Sequence, residues 1–330
     1  MAEFLTFDTD LTAVANAIRA KGGTSAQLIY PSGFVSAIQA IQTGITPKLV
    51  VTTTPGAAIT ATPAEGFKVV KGTAGTDGMC TLELPKAGTW NVTAMANSVS
   101  NSQHIVIGTQ NMLLPLYHDT FADNTWEEII AVCRTGIAPD SWAVGDSKTM
   151  NIGGTAYQVD IIGKNHDEYA DGSGTAPLTF QLHDCYSEAK QMYSSNLSGL
   201  GWKNTDMRLT YLPAILALMP AEVQNGIRAV NKKTSEGGNS TTIETVSDTL
   251  FLLSEVEIFG TASSSVAGEG SQYDYYKAGN PKIKKREGVD EFWWERSSAS
   301  GGMFCRVRAN GQAGASNASN SLGVSFAFCF

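Results

Sequence analysis

After Gly44, apolar and polar residues alternate in short segments rich in Val and Thr. Successive side chains of a strand point to opposite faces of a sheet, so this period of two predicts strands with one buried face. Turns containing Pro, Gly or Asn separate the segments, and six of them within about 65 residues predict a small β-sandwich over residues 47–112. The segments are KLVVTTT, AAITATP, FKVVKGTA, CTLELP, TWNVTAMA and SQHIVIGT.

Residues 1–46 show a helical period instead, and they predict two short amphipathic helices. The first has Asp10 as its N-cap and ends at Gly22, and the second has Pro31 in its first turn. The apolar positions are Leu11, Val14, Ala15 and Ile18 in the first helix and Phe34, Ile38 and Ile41 in the second. Helices this short are marginally stable alone, so their apolar faces must dock, either on the next domain or on a neighbouring subunit.

Residues 113–330 mix helical and strand patterns. TWEEIIAVCRTG predicts a helix capped by Thr125, and SKTMNIGGTAYQVDIIGKN predicts a hairpin that turns at Gly153 and Gly154. PLTFQLHDCY and DTLFLLSEVEIFG predict strands, and LPAILALMPAEVQNGIRAV predicts a helix interrupted by Pro220. The chain is therefore predicted to be a multidomain α+β protein.

Alternation returns near the end of the printed sequence and predicts a strand with one core face and one free face. The residues expected to face the core are Cys305, Val307 and Ala309. Those expected on the free face are Phe304, Arg306, Arg308 and Asn310.

Composition excludes several classes of function. The formal net charge is −8, and the one basic run, KIKKR from Lys282 to Arg286, is short, so we expect no nucleic-acid binding. The five cysteines form no CxxC pair and no Cys/His ligand pattern, which indicates neither a disulfide framework nor a zinc site. MAEFLTFDTD contains no positively charged leader followed by an apolar stretch, and we expect neither a signal peptide nor membrane insertion.

Several segments, taken in order, resemble an uncharacterised domain family of phages and gut bacteria, which is related by fold to C-type lectins and to formylglycine-generating-enzyme-like proteins. They are SWAVGDSKTMNIGGTAYQVDIIG, GWKNTDMR, the segment from Leu212 to Lys232, DTLFLLSEVEIFG, WWERS at Trp293 to Ser297, and GVSFAFCF. The N-terminal phrase LTAVANAIRAKGGTSAQLIYPSGFVSAIQAI is similar to a module of phage tail and baseplate proteins.

The resemblance implies that 1–46 is a tail-attachment module, that 47–112 is an immunoglobulin-like spacer, and that 113–330 is a C-type-lectin-like binding domain whose chain ends pair as strands. It implies a ligand-accessible surface between WWERS and GVSFAFCF. In variable proteins of diversity-generating retroelements, which share this fold, that window is the hypervariable receptor-binding surface. The predicted ligand-binding residues are Trp294, Ser298, Ser300, Phe304, Arg306, Arg308, Asn310, Gln312, Ser316, Asn317, Ser319 and Asn320.

The function implied by the resemblance is adhesion by a phage virion tail protein to a host bacterial surface receptor, either glycan or protein. Other tail proteins are expected as partners, and a homotrimer is expected because tail fibres commonly are trimeric. The window is rich in Ser, Asn, Gly and Arg, which is compatible with retroelement diversification. The virion location implies synthesis in the host cytoplasm, without a signal peptide. A structural tail or capsid-decoration protein that contacts only virion proteins is the first alternative.

The protein is not expected to be an enzyme, and no cofactor or metal is predicted. The sugar-binding calcium motifs of lectins are missing, and the loop HDEYADGSG, with Asp167, Glu168 and Asp171, is interpreted as an ordinary polar loop, with a bound cation as the alternative. A glycan-processing enzyme remains the second alternative, with Glu255 and Glu257 on one face of a predicted strand as its carboxylate pair. Within so apolar a segment we instead expect these two carboxylates to accept hydrogen bonds from backbone or Arg groups and to fix the connections of the domain. His183-Asp184-Cys185 lacks the pattern of a nucleophilic site, and Cys305 and Cys329 do not reproduce the cysteine pair of formylglycine-generating enzymes.

Overall fold

A computed structural model of the chain describes residues 8–22, 27–29, 33–34, 37, 47–64, 66, 68–107, 110–195, 201–238 and 240–330. The chain divides into two compact units, Met1–Leu116 and Tyr117–Phe330. Strand residues outnumber helical residues, and the helices are short, so the molecule is a mixed α+β protein, as the sequence predicted at this coarse level. Among the described residues, no helix is both long enough and apolar enough to cross a membrane.

The N-terminal helix α1 covers Asp8–Gly22. Asp10 therefore lies inside the helix, and its prediction as the N-cap is wrong. Ala15 and Ile18 are buried in a small apolar cluster with Phe34. Val14, predicted on the same face, is 47% exposed because it lies at the edge of that stripe. Pro31, Ile38 and Ile41 of the predicted second helix are outside the described residues.

The rest of the first unit is two sheets around one apolar core. All six predicted strand segments contain a strand, and a seventh strand pairs in parallel with the first. The sheet orders are β4-β1-β7 and β3-β2-β5-β6. The strands are β1 (Lys48–Thr52), β2 (Ala58–Pro63), β3 (Val70–Thr73), β4 (Met79–Glu83), β5 (Gly88–Ala96), β6 (Val99–Ile107) and β7 (Gln110–Leu113).

A five-stranded antiparallel sheet lies at the centre of the second unit, in the order β13-β19-β10-β9-β8. The predicted hairpin is confirmed: β8 and β9 pair, and Gly153 and Gly154 turn with φ of +58° and +89°, which favours glycine. The last strand pairs with β10 and β13, not with β8, so the implied pairing of the domain's end strands is wrong. The strands are β8 (Ser147–Ile152), β9 (Thr155–Lys164), β10 (Leu178–Leu182), β13 (Leu250–Phe251) and β19 (Ala327–Cys329).

Short helices connect these strands. α2 (Trp126–Arg134) begins at the predicted cap, where Thr125 accepts from the backbone N–H of Glu128 and the Glu128 carboxylate accepts from that of Thr125. The predicted helix around Pro220 is interrupted there, as expected, into α3 (Leu212–Leu216) and α4 (Ala221–Gly226). A 3₁₀ turn (Phe121–Asp123) precedes α2, and another (Trp202–Asn204) and a π-helical segment (Met207–Tyr211) precede α3.

The predicted strand DTLFLLSEVEIFG is wrong in its second half. Strand β13 ends at Phe251, and Glu255–Phe259 forms helix α5. Ser254 caps this helix, and its hydroxyl accepts from the backbone N–H of Glu257 while the Glu257 carboxylate accepts from that of Ser254. A capping box at this point stabilises a helix start over a continued strand.

The remaining elements surround the C-terminal segment. β11 and β12 form one antiparallel pair, and β14 and β15 form another. A separate antiparallel sheet has the order β16-β17-β18. The elements are β11 (Val230–Ser235), β12 (Ile243–Asp248), α6 (Asp274–Lys277), β14 (Lys284–Arg286), β15 (Val289–Glu291), β16 (Trp293–Ser298), β17 (Met303–Val307) and β18 (Ala313–Asn317).

Candidate functional site

Strand β16, which contains the WWERS motif, is buried along its whole length. Both indoles are fully buried, and their N–H groups donate to the carbonyls of Lys282 (2.9 Å) and Lys190 (2.8 Å). Trp294 therefore belongs to the core, and its prediction as a ligand-binding residue is wrong. A buried indole N–H normally has such a partner. The two hydrogen bonds link strand β16 to the segments at Lys282 and Lys190, so the tryptophans have a structural role.

Three more predicted ligand-binding residues are buried. Ser298 pairs across the sheet with Phe304, and Phe304 pairs with Ser316, so the three side chains share one cross-strand row. Their exposed fractions are 4%, 1% and 8%, respectively. The prediction that these three residues bind a ligand is therefore wrong. The face of β17 that was predicted to be free is buried at Phe304 and becomes accessible to solvent only towards Arg308.

The remaining predicted residues reach solvent and constitute what we call the polar window. Arg306 and Ser319 are half-buried, and the others are exposed. The Ser319 carbonyl accepts from the Gln191 side chain at 2.7 Å. The members of the polar window are Ser300, Arg306, Arg308, Asn310, Gln312, Asn317, Ser319 and Asn320.

A tight turn at 308–312 joins β17 to β18. The backbone N–H of Arg308 donates to Gln312 (2.7 Å), and that of Gly311 donates to Arg308 (2.7 Å). The Asn310 amide donates to the Gln312 side chain at 3.2 Å and accepts from the Gln312 backbone at 3.2 Å. These bonds hold the polar side chains of the turn in one arrangement.

Arg306 is held against the sheet. Its guanidinium lies 4.2 Å from the centre of the Phe292 ring, and its Nε donates to the Ala315 carbonyl at 3.1 Å. Burial and the positive charge of Arg308 lower the pKa of Arg306. Stacking on an aromatic face fixes a planar guanidinium while leaving its edge available to partners.

Strand β16 also contributes to a buried network of charges, of which sequence reasoning predicted only that Glu257 accepts hydrogen bonds from an Arg or backbone group. Arg296 is fully buried, and both of its terminal nitrogens bind the Glu257 carboxylate, one of them at 2.9 Å. Lys232 binds Glu257 at 2.7 Å and Asp167 at 2.6 Å. Tyr273 donates to Asp167 at 2.8 Å. Two cations and two carboxylates thus neutralise one another in the interior, where an unpaired charge is costly.

A cleft of about 440 Å³ opens above this network. Its walls include His166, Glu168, Asn231 and Gly270, and Asp167, Lys232 and Glu257 also line it. Ion pairs engage the buried carboxylates of Asp167 and Glu257, so the exposed charged side chains that line the cleft are those of Glu168 and Lys233.

The loop HDEYADGSG is organised by protein side chains. Asp167 accepts from Lys232 and Tyr273, and the Asp171 carboxylate accepts from Arg228 at 2.7 Å and from the Ser173 backbone at 2.9 Å. No His, Cys, Asp or Glu side chains in the described part of the chain are grouped as metal ligands. These contacts favour the polar-loop interpretation over the cation-binding alternative.

The two carboxylates considered for an enzyme belong to helix α5 and are engaged. Glu255 accepts from the backbone N–H groups of Ser263 (3.0 Å) and Ser265 (2.9 Å), while Arg296 and Lys232 bind Glu257. The predicted placement on one strand face is wrong because the segment is helical. The expectation that the two carboxylates accept hydrogen bonds from backbone and Arg groups is confirmed.

The His183 and Cys185 side chains do not form a nucleophilic pair. His183 Nδ1 lies 2.7 Å from Asp160, and burial raises the pKa of Cys185 to about 12. All five cysteines are free and buried, and burial raises the pKa values of Cys305 and Cys329 as well. A thiol in such surroundings stays protonated and unreactive.

Glu295, also in β16, is fully buried, and neither of its carboxylate oxygens has a hydrogen-bond partner among the described residues. Burial, together with the negative charges of Glu255 and Glu269, raises its pKa well above 4.5. Glu295 is therefore held as a neutral carboxylic acid inside the domain.

A family model described as a domain of unknown function (DUF6273) matches residues 179–330. The match includes the polar window and three members of the charge network, Lys232, Glu257 and Arg296, while Asp167 precedes it. No curated protein matches the chain.

Proposed function

We propose that this protein is an adhesion protein of a phage virion, which binds a receptor on the host bacterial surface through the polar window. The observation that carries the proposal is a set of exposed donors and acceptors, including Arg308, Asn310 and Gln312, on strands and a turn fixed by backbone hydrogen bonds. Binding surfaces of this kind require positioned polar groups on a rigid support, and they require no reactive side chain.

The support beneath the window strengthens the proposal. Strand β16 pairs with β17, which carries Arg306, and β16 is tied to helix α5 through Arg296 and Glu257. Arg296 also donates to the Lys233 carbonyl at 2.9 Å, which links β16 to β11. Because the strands are already fixed by these contacts, binding of a partner does not require the backbone to become ordered.

The finer fold assignments belong to the same proposal. We infer that the two sheets of residues 47–112 are an immunoglobulin-like spacer and that residues 113–330 adopt a C-type-lectin-like fold, because the segment order resembles that family. The Ser-, Asn- and Arg-rich window is also compatible with retroelement diversification. A reverse-transcriptase gene with a near-copy of the segment encoding the window, found beside this gene, would support that part. We infer in addition a homotrimer, and sedimentation equilibrium of the purified protein measures it.

The adhesion proposal is tested by binding of the fluorescently labelled full chain to a panel of bacterial cells. Replacing Arg306, Arg308 and Asn310 together by Ala should remove binding and leave the melting temperature nearly unchanged, because Arg308 and Asn310 are exposed and Arg306 is half-buried. The control variant Arg134→Ala/Lys277→Ala changes two exposed cations on helices and should bind as the wild type does. Absence of binding to every strain, or full binding by the triple variant, contradicts the proposal.

A further inference from the structure

The two arginines of the polar window lie side by side. Gly314 is the direct cross-strand partner of Arg306. A Cβ atom at Gly314 would lie 2.8 Å from Nε of Arg308, so the Arg308 side chain lies over Gly314. Arg308 thus occupies the space across from Arg306, and the glycine makes this close approach possible. Two like charges brought together in this way repel each other unless an anion joins them.

No carboxylate among the residues that the structure describes forms an ion pair with either arginine. The ion pairs within the described ranges involve other cations and include neither Arg306 nor Arg308. Glu291, next to Phe292 in sequence, is already engaged: it binds Arg286 at 2.8 and 2.9 Å and accepts from the Phe292 backbone at 2.9 Å. The chain has a net charge of −8, so this arginine pair forms a locally positive surface on a protein that is negatively charged as a whole.

The guanidinium of Arg306 is prepared for a bidentate partner. Nε is used by the Ala315 carbonyl, and the ring of Phe292 supports one face. Its terminal nitrogens make no hydrogen bond to a residue that the structure describes. A planar fork of N–H donors matches the two oxygens of a carboxylate or phosphate group, whereas a neutral hydroxyl offers one acceptor atom.

We infer that Arg306 and Arg308 bind an oxyanion, a carboxylate or phosphate group, carried by a bacterial surface glycopolymer. This inference rests on the proposed adhesive function and names the chemical class of its receptor. Asn310 and Gln312, on the adjoining turn, are placed to hydrogen-bond neutral hydroxyl groups of the same polymer.

The full chain is tested by biolayer interferometry on three immobilised polymers: polygalacturonate, which carries carboxylates, poly(glycerol phosphate), which carries phosphates, and neutral dextran. The wild type should bind at least one of the two anionic polymers and not dextran, and added salt should weaken the binding. Arg306→Gln and Arg308→Gln should each reduce affinity about tenfold, the typical effect of one lost charge-assisted hydrogen bond.

Two further variants separate geometry from charge. Arg306→Lys keeps the positive charge and removes the planar fork, so it should bind more weakly than the wild type does. Arg134→Gln removes an equal charge from an exposed position at the end of α2 and should bind unchanged. Thermal midpoints near that of the wild type verify that the variants are folded.

The results of the polymer and cell assays distinguish the oxyanion inference from the adhesive function. Binding to neither anionic polymer, equal binding to dextran, or equal losses in Arg134→Gln and Arg308→Gln would overturn the oxyanion inference. If bacterial cells bind the wild type and the Arg306→Gln/Arg308→Gln variant equally, the oxyanion inference is wrong while adhesion stands. If the anionic polymers bind but no cells do, the oxyanion site stands and the adhesive function is wrong.

Discussion

Lys232 carries its ammonium group in the interior, where its side chain is 2% exposed. Taking a cation out of water is costly, and here the cost is offset by Asp167 at 2.6 Å and Glu257 at 2.7 Å. Although burial alone would lower the pKa of Lys232, the two carboxylates raise it, so the residue stays charged. Removing one member of this set leaves the others buried without compensation.

Lys232→Met should therefore destabilise the protein by about 3–5 kcal/mol, the range for a broken buried ion pair. Urea denaturation followed by circular dichroism measures the loss. The neighbouring Lys233 is exposed, and Lys233→Met should change stability by less than about 0.5 kcal/mol. Similar effects at both positions would show that the network is not the source of the stability.

Single residues of this network could not be paired from sequence. Lys232 and Asp167 are 65 residues apart, and Arg296 and Glu257 are 39 apart. Such partners meet only after the sheets have formed, and a lone Lys or Arg in a sequence is far more often exposed. The apolar surroundings of Glu257 in sequence did predict an Arg or backbone donor for its carboxylate, but nothing in the sequence named Arg296 or indicated that Lys232 and Asp167 are buried.

At the scale of elements, two local signals gave correct predictions. The cap at Thr125 and the hairpin at Gly153 and Gly154 depend on contacts between residues close in sequence, and both were predicted. The same kind of signal, Ser254 followed three residues later by Glu257, was present at α5 but was outweighed by the apolar run LFLL before it. Burial of Phe304 depended on a cross-strand row that no local pattern contains.

Helix α2 provides a test of one such local signal. Thr125→Ala removes the acceptor of the Glu128 N–H bond and should cost about 0.5–2 kcal/mol, as N-cap replacements do. Thermal denaturation monitored by circular dichroism measures this change. Thr249→Ala, at an exposed position outside the helices, serves as the control and should have an effect close to zero. An equal effect of the two substitutions would contradict the role of the capping box.

At the scale of the whole molecule, two buried carboxyl groups limit stability at opposite ends of the pH range. Burial disfavours the charged form of Asp167, but Lys232, His166 and hydrogen bonds hold its pKa at about 2, below the ordinary 3.8. The contribution of Asp167 to the free energy of unfolding is therefore complete above pH 3.8 and is lost as the pH falls through about 2. The shift of Glu295 is opposite, because its pKa lies well above 4.5. The stability of the folded protein is therefore unaffected by this group below pH 4.5 and decreases as the pH rises above that value.

Glu295→Gln should thus flatten the alkaline side of the stability profile and leave the acid side as it is. Glutamine resembles the protonated acid in shape and cannot ionise, so the variant should become more stable than the wild type as the pH rises from about 5 to about 9. Melting temperatures across this range, with Glu287→Gln at an exposed turn as the control, measure the difference. Parallel curves for the wild type and Glu295→Gln would refute the assignment of a neutral buried acid.

The β16-β17-β18 sheet and the turn beside it contain two sets of residues with different roles. Trp293, Trp294 and Arg296 hold the strands from within, while the side chains of Arg308, Asn310 and Asn317 touch mainly water. Substitutions at these exposed positions can therefore change which ligand is bound while the buried residues that determine the fold stay the same. A library randomised at these three positions should yield mostly well-folded members with differing ligand preferences.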